Sequence, residues 1–143
     1  MTAVSPYLNF NGITEEAFSF YKSVFGGEFL TLVRFRDNPG CGDIVEADKD
    51  RIMHIALPIG NGTVLMATDS LESMGQKLSL GNNFYICLSP DTKEEADRLF
   101  NGLSGGGKVE MPIQDMFWGD YWGSFADKFG VQWMVSYNKN RNQ

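Results

Sequence analysis

The side chains of this 143-residue sequence that could do chemistry are one histidine, two cysteines and a dense run of aromatic residues. His54 stands in an apolar, alternating stretch, MHIAL. Imidazole is the side chain that ordinarily titrates near neutrality, which suits it to general acid–base work or to metal ligation. A lone strand histidine can equally be a structural hydrogen-bonding group, and the facing of His54 depends on a hairpin register that the sequence leaves open. A single histidine also starves a zinc site, leaving only carboxylates such as Asp69, Glu110 or Asp115 to help. Cys41 sits in a Gly-rich loop (NPGCGD) and Cys87 in an apolar run (FYICL). A nucleophilic cysteine needs a partner that lowers its pKa. No Cys–His pairing is legible, so Cys87 reads as an inert, buried thiol.

The aromatic run, MPIQDMFWGDYWGSFADKFGVQWMVSY from Met111 to Tyr137, holds all three tryptophans of the chain. Phe117, Trp118, Tyr121 and Trp122 could form a stacking wall for a flat or apolar ligand. Core packing is the alternative, and both remain open for Trp118 and Trp122. Toward the end of the run Gln132, Met134 and Ser136 share one strand face; Val131, Trp133, Val135 and Tyr137 share the other. The second set is bulkier and more apolar and is expected to pack on helices. Gln132 and Ser136 then become polar handles in a mostly apolar pocket, as small-molecule sites usually have. Asp127, before Lys-Phe-Gly, reads as a turn acceptor.

The elements that must position these groups are legible in order. Tyr7–Phe10 is a short strand bounded by Pro6 and Asn11-Gly12. Thr14 offers a helix N-cap, with Glu15 and Glu16 where the helix dipole favours negative charge. Ala17, Phe20, Tyr21, Val24 and Phe25 form one helical face, and Gly26-Gly27 ends the helix. Strands are expected over Glu28–Arg36, Ile52–Ile59 and Thr63–Thr68, the last two joined at Gly60-Asn61-Gly62. Asp37–Arg51 reads as a loop and Ser70–Asn82 as a polar linker. The pattern then restarts with a strand over Phe84–Leu88. A helix follows, with a Thr92/Glu95 capping box and an apolar face of Ala96, Leu99, Phe100 and Leu103. Strands follow at Lys108–Met111, Trp122–Ala126 and Val131–Tyr137. Gly105-Gly106-Gly107 follows a helix, whereas a phosphate loop precedes one, so it reads as a helix stop.

Glu15-Glu16-Ala17 and Glu94-Glu95-Ala96 lie 79 positions apart, and Phe20, Tyr21, Val24 and Gly26-Gly27 match Leu99, Phe100, Leu103 and Gly105-Gly106 at the same offset. Each half reads β-α-β-β-β. The fold class is therefore α+β, one domain over 1–143 made of two modules, about 5–69 and about 83–137, with a linker at about 70–82. One face of such a module's sheet is covered by its helix and the other is bare. Two modules curling their bare faces together enclose a cup, an incomplete β-barrel with the helices outside.

Charge and composition exclude some partners. The net charge of −6 argues against nucleic acid and against an anionic membrane surface. No basic segment followed by an apolar run opens the sequence, and no apolar run approaches the ~18 residues of a membrane span. A chain of this size can build a core without disulfides, so both cysteines are expected as reduced thiols in a cytoplasmic protein.

Three blocks carry a family resemblance: PYLNFNG…EEAFSFY at Pro6–Tyr21, MHIALPIGNGTVLMATD at Met53–Asp69, and GGKVEMPIQDMFWGDYWGSFADKFGVQWMV at Gly106–Val135. The chain resembles the vicinal oxygen chelate superfamily of glyoxalase, bleomycin-resistance and extradiol dioxygenase proteins. Within it the chain is similar to the PhnB-like branch, some members of which carry a 3-demethylubiquinone methyltransferase label. The resemblance implies paired βαβββ modules, a cup-shaped pocket, and a homodimer in which modules can be exchanged between copies. Metal-using members take ligands from the first and last strands of each module. Carried over by strand, those positions are Ser5 or Tyr7, Met66, Tyr85 and Met134, and none is His, Glu or Asp. Divalent transition metals want imidazole, thiolate or carboxylate, so no metal and no cofactor is expected. By the same mapping Tyr85 and Cys87 face the cup. The expected function is metal-free binding of a small, partly aromatic or apolar molecule by Tyr7, Asn9, Met66, Tyr85, Cys87, Trp118, Trp122, Gln132 and Met134. The alternatives are an enzyme of the same fold, using carboxylate-held metal or His54 with Tyr85, and a mainly structural dimer module. No glycine loop after a strand supports carrying over the methyltransferase label.

Overall fold

The structure is a computed structural model that describes residues 2–38, 40 and 42–140. The chain divides into two compact units, Met1–Ser79 and Leu80–Gln143. Each is a helix on a four-stranded sheet, and the elements follow the β-α-β-β-β order twice. The first unit contains β1 (Tyr7–Phe10), α1 (Thr14–Phe25), β2 (Thr31–Arg34), β3 (Ile52–Gly60) and β4 (Thr63–Asp69). The second contains β5 (Ile86–Leu88), α2 (Lys93–Ser104), β6 (Lys108–Asp115), β7 (Tyr121–Ala126) and β8 (Gln132–Tyr137). The sheet orders are β1-β4-β3-β2 and β5-β8-β7-β6, so in each unit the first strand joins the last in parallel and the rest pair antiparallel. Neither four-stranded sheet closes on itself.

The two periods of side-chain placement separate a helix face from an open face in each sheet. In the first unit Leu8, Ile55, Leu57, Leu65 and Ala67 are buried and α1 packs on β3 and β4 above them. In the second, Trp133, Val135 and Phe125 are buried under Leu99, Phe100 and Leu103 of α2. Phe100 meets Phe125 edge-on with ring centroids 5.0 Å apart. Gly123 is required at that contact, because a Cβ there would come 2.7 Å from both Phe100 and the Ile113 backbone.

Several expectations are adjusted by tertiary contacts. Thr14 is the first residue of α1 and not its N-cap. Its amide and hydroxyl both donate to Asp69 Oδ1, at 3.1 and 2.6 Å, and Ile52 N donates to Asp69 Oδ2 at 2.9 Å. The carboxylate that completes the helix start is thus supplied by β4. The buried face of α1 is Thr14, Ala17, Phe18, Tyr21 and Val24, so it is rotated toward Phe18, while Phe20 is half-buried. β2 begins at Thr31 and is followed by a 3-10 turn at Phe35–Asp37. The 37–51 loop is closed by its own chemistry. Arg36 pairs with Glu46 (3.0 Å) and Asp50 (2.8 Å), and Arg36 N donates to Lys49 O at 2.7 Å. Its Cys41 lies outside the described residues. The 70–82 segment carries a 3-10 turn at Glu72–Met74 and a buried Leu71. β5 is shorter than expected and β6 longer. Thr92 does accept from Glu95 N at the start of α2, at 3.1 Å. At the other end of that helix Gly107 runs against β7, where a Cβ would lie 2.2 Å from Ala126 O. Glycine is thus required at Gly107 by this close approach and favoured at Gly106 by its φ of +78°, while Gly105 meets only ordinary contacts.

Candidate functional site

The open face of each sheet holds most of the residues expected in the pocket. In the first unit Tyr7 stands opposite Met66 and Asn9 opposite Thr68. Ala56 flanks Met66 from β3, and Val33 on β2 stands opposite His54. Directly opposed residues share a sheet face, and the helix-facing residues are their alternate neighbours. Tyr7, Asn9, His54 and Met66 are therefore brought to one surface. Tyr7 remains 47% exposed there. Its ring lies beside the imidazole of His54, centroids 5.7 Å apart and planes at 26°, and Tyr7 Oη is 3.1 Å from His54 Nδ1. Two strands that do not touch, β1 and β3, are thus linked across β4. Burial raises the Tyr7 phenol above its ordinary pKa, because desolvation disfavours the phenolate.

In the second unit Cys87 stands opposite Met134, Met134 opposite Ser124, and Ser124 opposite Met111. Trp122 stands opposite Ser136 in the next row. The Tyr85 hydroxyl donates to Glu110 Oε1 at 2.7 Å, joining the two edge strands β5 and β6 over the face. The carboxylate beside it raises the Tyr85 phenol above its ordinary pKa, since a negative acceptor holds the proton on. Gln132 shares this face, but its amide donates to Phe84 O at 2.6 Å, so that donor is taken up within the chain. Ser136 is buried on the same side.

Two residues differ from expectation. Cys87 is exposed and not buried. β5 is a three-residue edge strand whose apolar residues, Ile86 and Leu88, turn toward α2, leaving the residue between them outward. Trp118 is not on the sheet face. It sits in the β6–β7 hairpin, 53% exposed, with its indole N–H on Asp120 Oδ2 at 2.9 Å and its ring edge-on to Phe117 at 5.0 Å. One expectation about an acid holds in the geometry. Asp127 accepts from Phe129 N, Val131 N and Trp133 Nε1 at 2.9, 3.0 and 2.9 Å, the work of a buried turn acceptor. The hydroxyl partner of His54 is Tyr7, while Tyr85 serves Glu110; Glu110 carries no sequence signal beyond its place in an alternating strand.

The donor sets can be compared with what a metal needs. The first unit's open face offers one imidazole and no carboxylate, and the second's offers Glu110 already engaged by Tyr85. Among the described residues no group of three or more His, Cys, Asp or Glu is gathered. Tyr7, Met66, Tyr85 and Met134 supply phenols and thioethers, which do not fit the metal of the metal-using vicinal oxygen chelate proteins.

A repeated helix-on-sheet module with a bare, aromatic and thioether-bearing face defines a paired βαβββ protein. Residues 8–135 match the model of the Glyoxalase/Bleomycin resistance protein/Dioxygenase superfamily, and the chain belongs to that superfamily. It is 31% identical over 146 residues to protein YjdN of Escherichia coli K12, across 96% of this chain and 97% of that one. The crystal structure of protein PA1353 from Pseudomonas aeruginosa matches with 39% identity and a TM-score of 0.85, covering 96% of this chain and 98% of its own. A PhnB protein from Bacillus cereus, named as a candidate 3-demethylubiquinone-9 3-methyltransferase, matches with 25% identity and a TM-score of 0.74 over 95% of this chain and 99% of its own. The expected PhnB-like kinship is thus found among the structural neighbours.

Proposed function

We propose that the chain is a small-molecule-binding protein of this superfamily that works without a metal and takes a small, partly aromatic or apolar ligand against its open sheet faces. The observation that carries this reading is the state of those faces. Tyr7 and Tyr85 are 47% and 36% exposed, and Met66, Trp122 and Met134 are only half-buried beside them. Large aromatic and polarizable side chains with a few polar handles are the composition of a ligand surface. A cytoplasmic location belongs to the same reading and is supported by the exposed thiol of Cys87, which suits a reducing compartment. Among the described residues no helix is long and apolar enough to cross a membrane. A homodimer, with modules exchanged between copies as one arrangement, also belongs to it. Its support is the exposed apolar side chains of the edge strand β6, Val109 and Met111.

Tryptophan emission tests the binding reading, because Trp122 lies on an open face. Titration with a library of planar aromatic compounds is expected to quench or shift the emission, and Trp122→Phe is expected to remove most of the change. No response across the library, together with a stoichiometric metal found by elemental mass spectrometry, would overturn the reading. A second reading, an enzyme, is favoured by one observation only, the hydrogen-bonded Tyr7–His54 pair. Loss of turnover in His54→Ala on an identified substrate would promote it.

A further inference from the structure

The first unit's open face has a feature that selects among ligands. His54 Nδ1 lies 3.1 Å from Tyr7 Oη, and the phenol is held in its protonated form by burial. Where the phenol donates to Nδ1, a neutral imidazole carries its own proton on Nε2. Among the described residues Nε2 makes no hydrogen bond. No buried side-chain nitrogen or oxygen there lacks a partner, so Nε2 is open to solvent and not sealed in the core. The ring is further fixed by its stacking on Tyr7. A donor held in one orientation on an exposed surface is half of a recognition contact. Its surroundings decide the other half. The residues that the register places on this face with His54 are Tyr7, Asn9, Val33, Ala56 and Met66 with their row neighbours, and none is Asp or Glu. A carbonyl or carboxylate oxygen therefore meets no carboxylate of this sheet face, and a ligand cation finds no counter-charge on it.

Resting on the binding reading above, we infer that this face is a subsite for a planar ligand bearing an acceptor oxygen. Tyr7 fixes the imidazole tautomer, and His54 Nε2–H donates to that oxygen while the ligand's ring lies against Tyr7 and Met66. Tyr7 is then a positioning residue and His54 the group that touches ligand.

His54 is the chain's one histidine, so untagged, ¹⁵N-labelled protein gives a single set of imidazole resonances. Two-bond proton–nitrogen correlation at alkaline pH, where the spectrum itself reports a neutral ring, is expected to show the Nε2–H tautomer. Tyr7→Phe is expected to turn it into a mixture. An Nδ1–H tautomer in the unaltered protein would overturn the inference. Benzoate and benzylamine then serve as probes with the same ring and opposite polar ends. Benzoate is expected to move the Nε2 resonance, benzylamine to leave it in place, and His54→Leu to weaken benzoate binding by about tenfold or more, the worth of one hydrogen bond to a charged acceptor. Equal responses to both probes, or a response to benzylamine alone, would overturn the acceptor-oxygen inference while leaving the binding reading intact. Silence to both, combined with an unresponsive tryptophan screen, would sink the binding reading itself.

Discussion

Replacing Asp69 with alanine is expected to be among the most damaging single changes in the first unit. The side chain is 2% exposed and accepts three hydrogen bonds from groups that are themselves buried: Thr14 N, Thr14 Oγ1 and Ile52 N. Hydrogen bonds to a charged acceptor contribute about 1.5–3 kcal/mol each, and a buried donor left unpaired costs a similar amount. Three of them sum to roughly 4–9 kcal/mol, and sharing of one carboxylate makes the low end the better figure. About 4 kcal/mol is expected for Asp69→Ala. Asp69→Asn keeps an acceptor oxygen but presents an NH₂ toward one of the donors, so about half that loss is expected. The assay must see the first unit. All three tryptophans belong to the second, so far-UV circular dichroism in urea is the proper probe and tryptophan emission the internal control. With a urea slope of about 2 kcal/mol per molar, the dichroism midpoint is expected to fall by about 2 M. A midpoint unchanged within about 0.3 M, or equal falls for the alanine and asparagine variants, would refute the reasoning that β4 supplies the start of α1.

Three further outcomes can be checked together. Gly107→Ala is expected to cost at least about 2 kcal/mol in thermal or urea unfolding, because its Cβ would lie 2.2 Å from the Ala126 carbonyl oxygen and backbone must move to admit it. Tyr121 donates its hydroxyl to Asp97 of α2, and that bond pushes its phenol up to about 12. A folded pKa above the ordinary phenol value means that the tie is fully present below about pH 10 and is lost as pH rises through about 12. Tyr7 and Tyr85 are raised as well, so ultraviolet titration is expected to show several late phenols, of which Tyr121→Phe removes the one near pH 12 together with part of the alkaline loss of stability. Cys87 is exposed, so a Cys41→Ser protein is expected to titrate one thiol with Ellman's reagent without denaturant; a thiol seen only after unfolding would contradict the placement of β5.

What the sequence made legible was what depends on near neighbours. The face of α2 is correct residue by residue, because helical spacing is local and Thr92 caps its own helix. The parity of β1 and β8 is also correct, so Tyr7, Asn9, Gln132 and Met134 fall on open faces as alternation demands. What failed depends on distant partners. The acceptor for Thr14 is 55 positions away. The facing of His54 could not be counted back from Gly60-Asn61-Gly62, because the ladder shifts between Pro58 and Gly60, and a one-residue slip exchanges the two faces. Side-chain size alone leaves Trp118 open to either pocket or core. Its neighbour Gly119, at φ +105°, instead puts Phe117 and Trp118 in a hairpin turn.

The two units share a topology and differ in chemistry at the same point. Tyr7 and Tyr85 each stand at the first strand of a module, and each phenol reaches over its own sheet to a partner on another strand. In the first unit the partner is an imidazole nitrogen on β3; in the second it is a carboxylate on β6. The raised pKa has a different cause in each, burial for Tyr7 and the bond to Glu110 for Tyr85. A duplicated backbone therefore presents one face that can donate through His54 and one that carries a negative charge. Duplication explains why helix, sheet order and register repeat, since the core that fixes them is the same problem solved twice. The open faces carry no such packing constraint, and it is there that the copies have diverged. That is the pattern expected if those faces, and not the helices, are what meets the ligand.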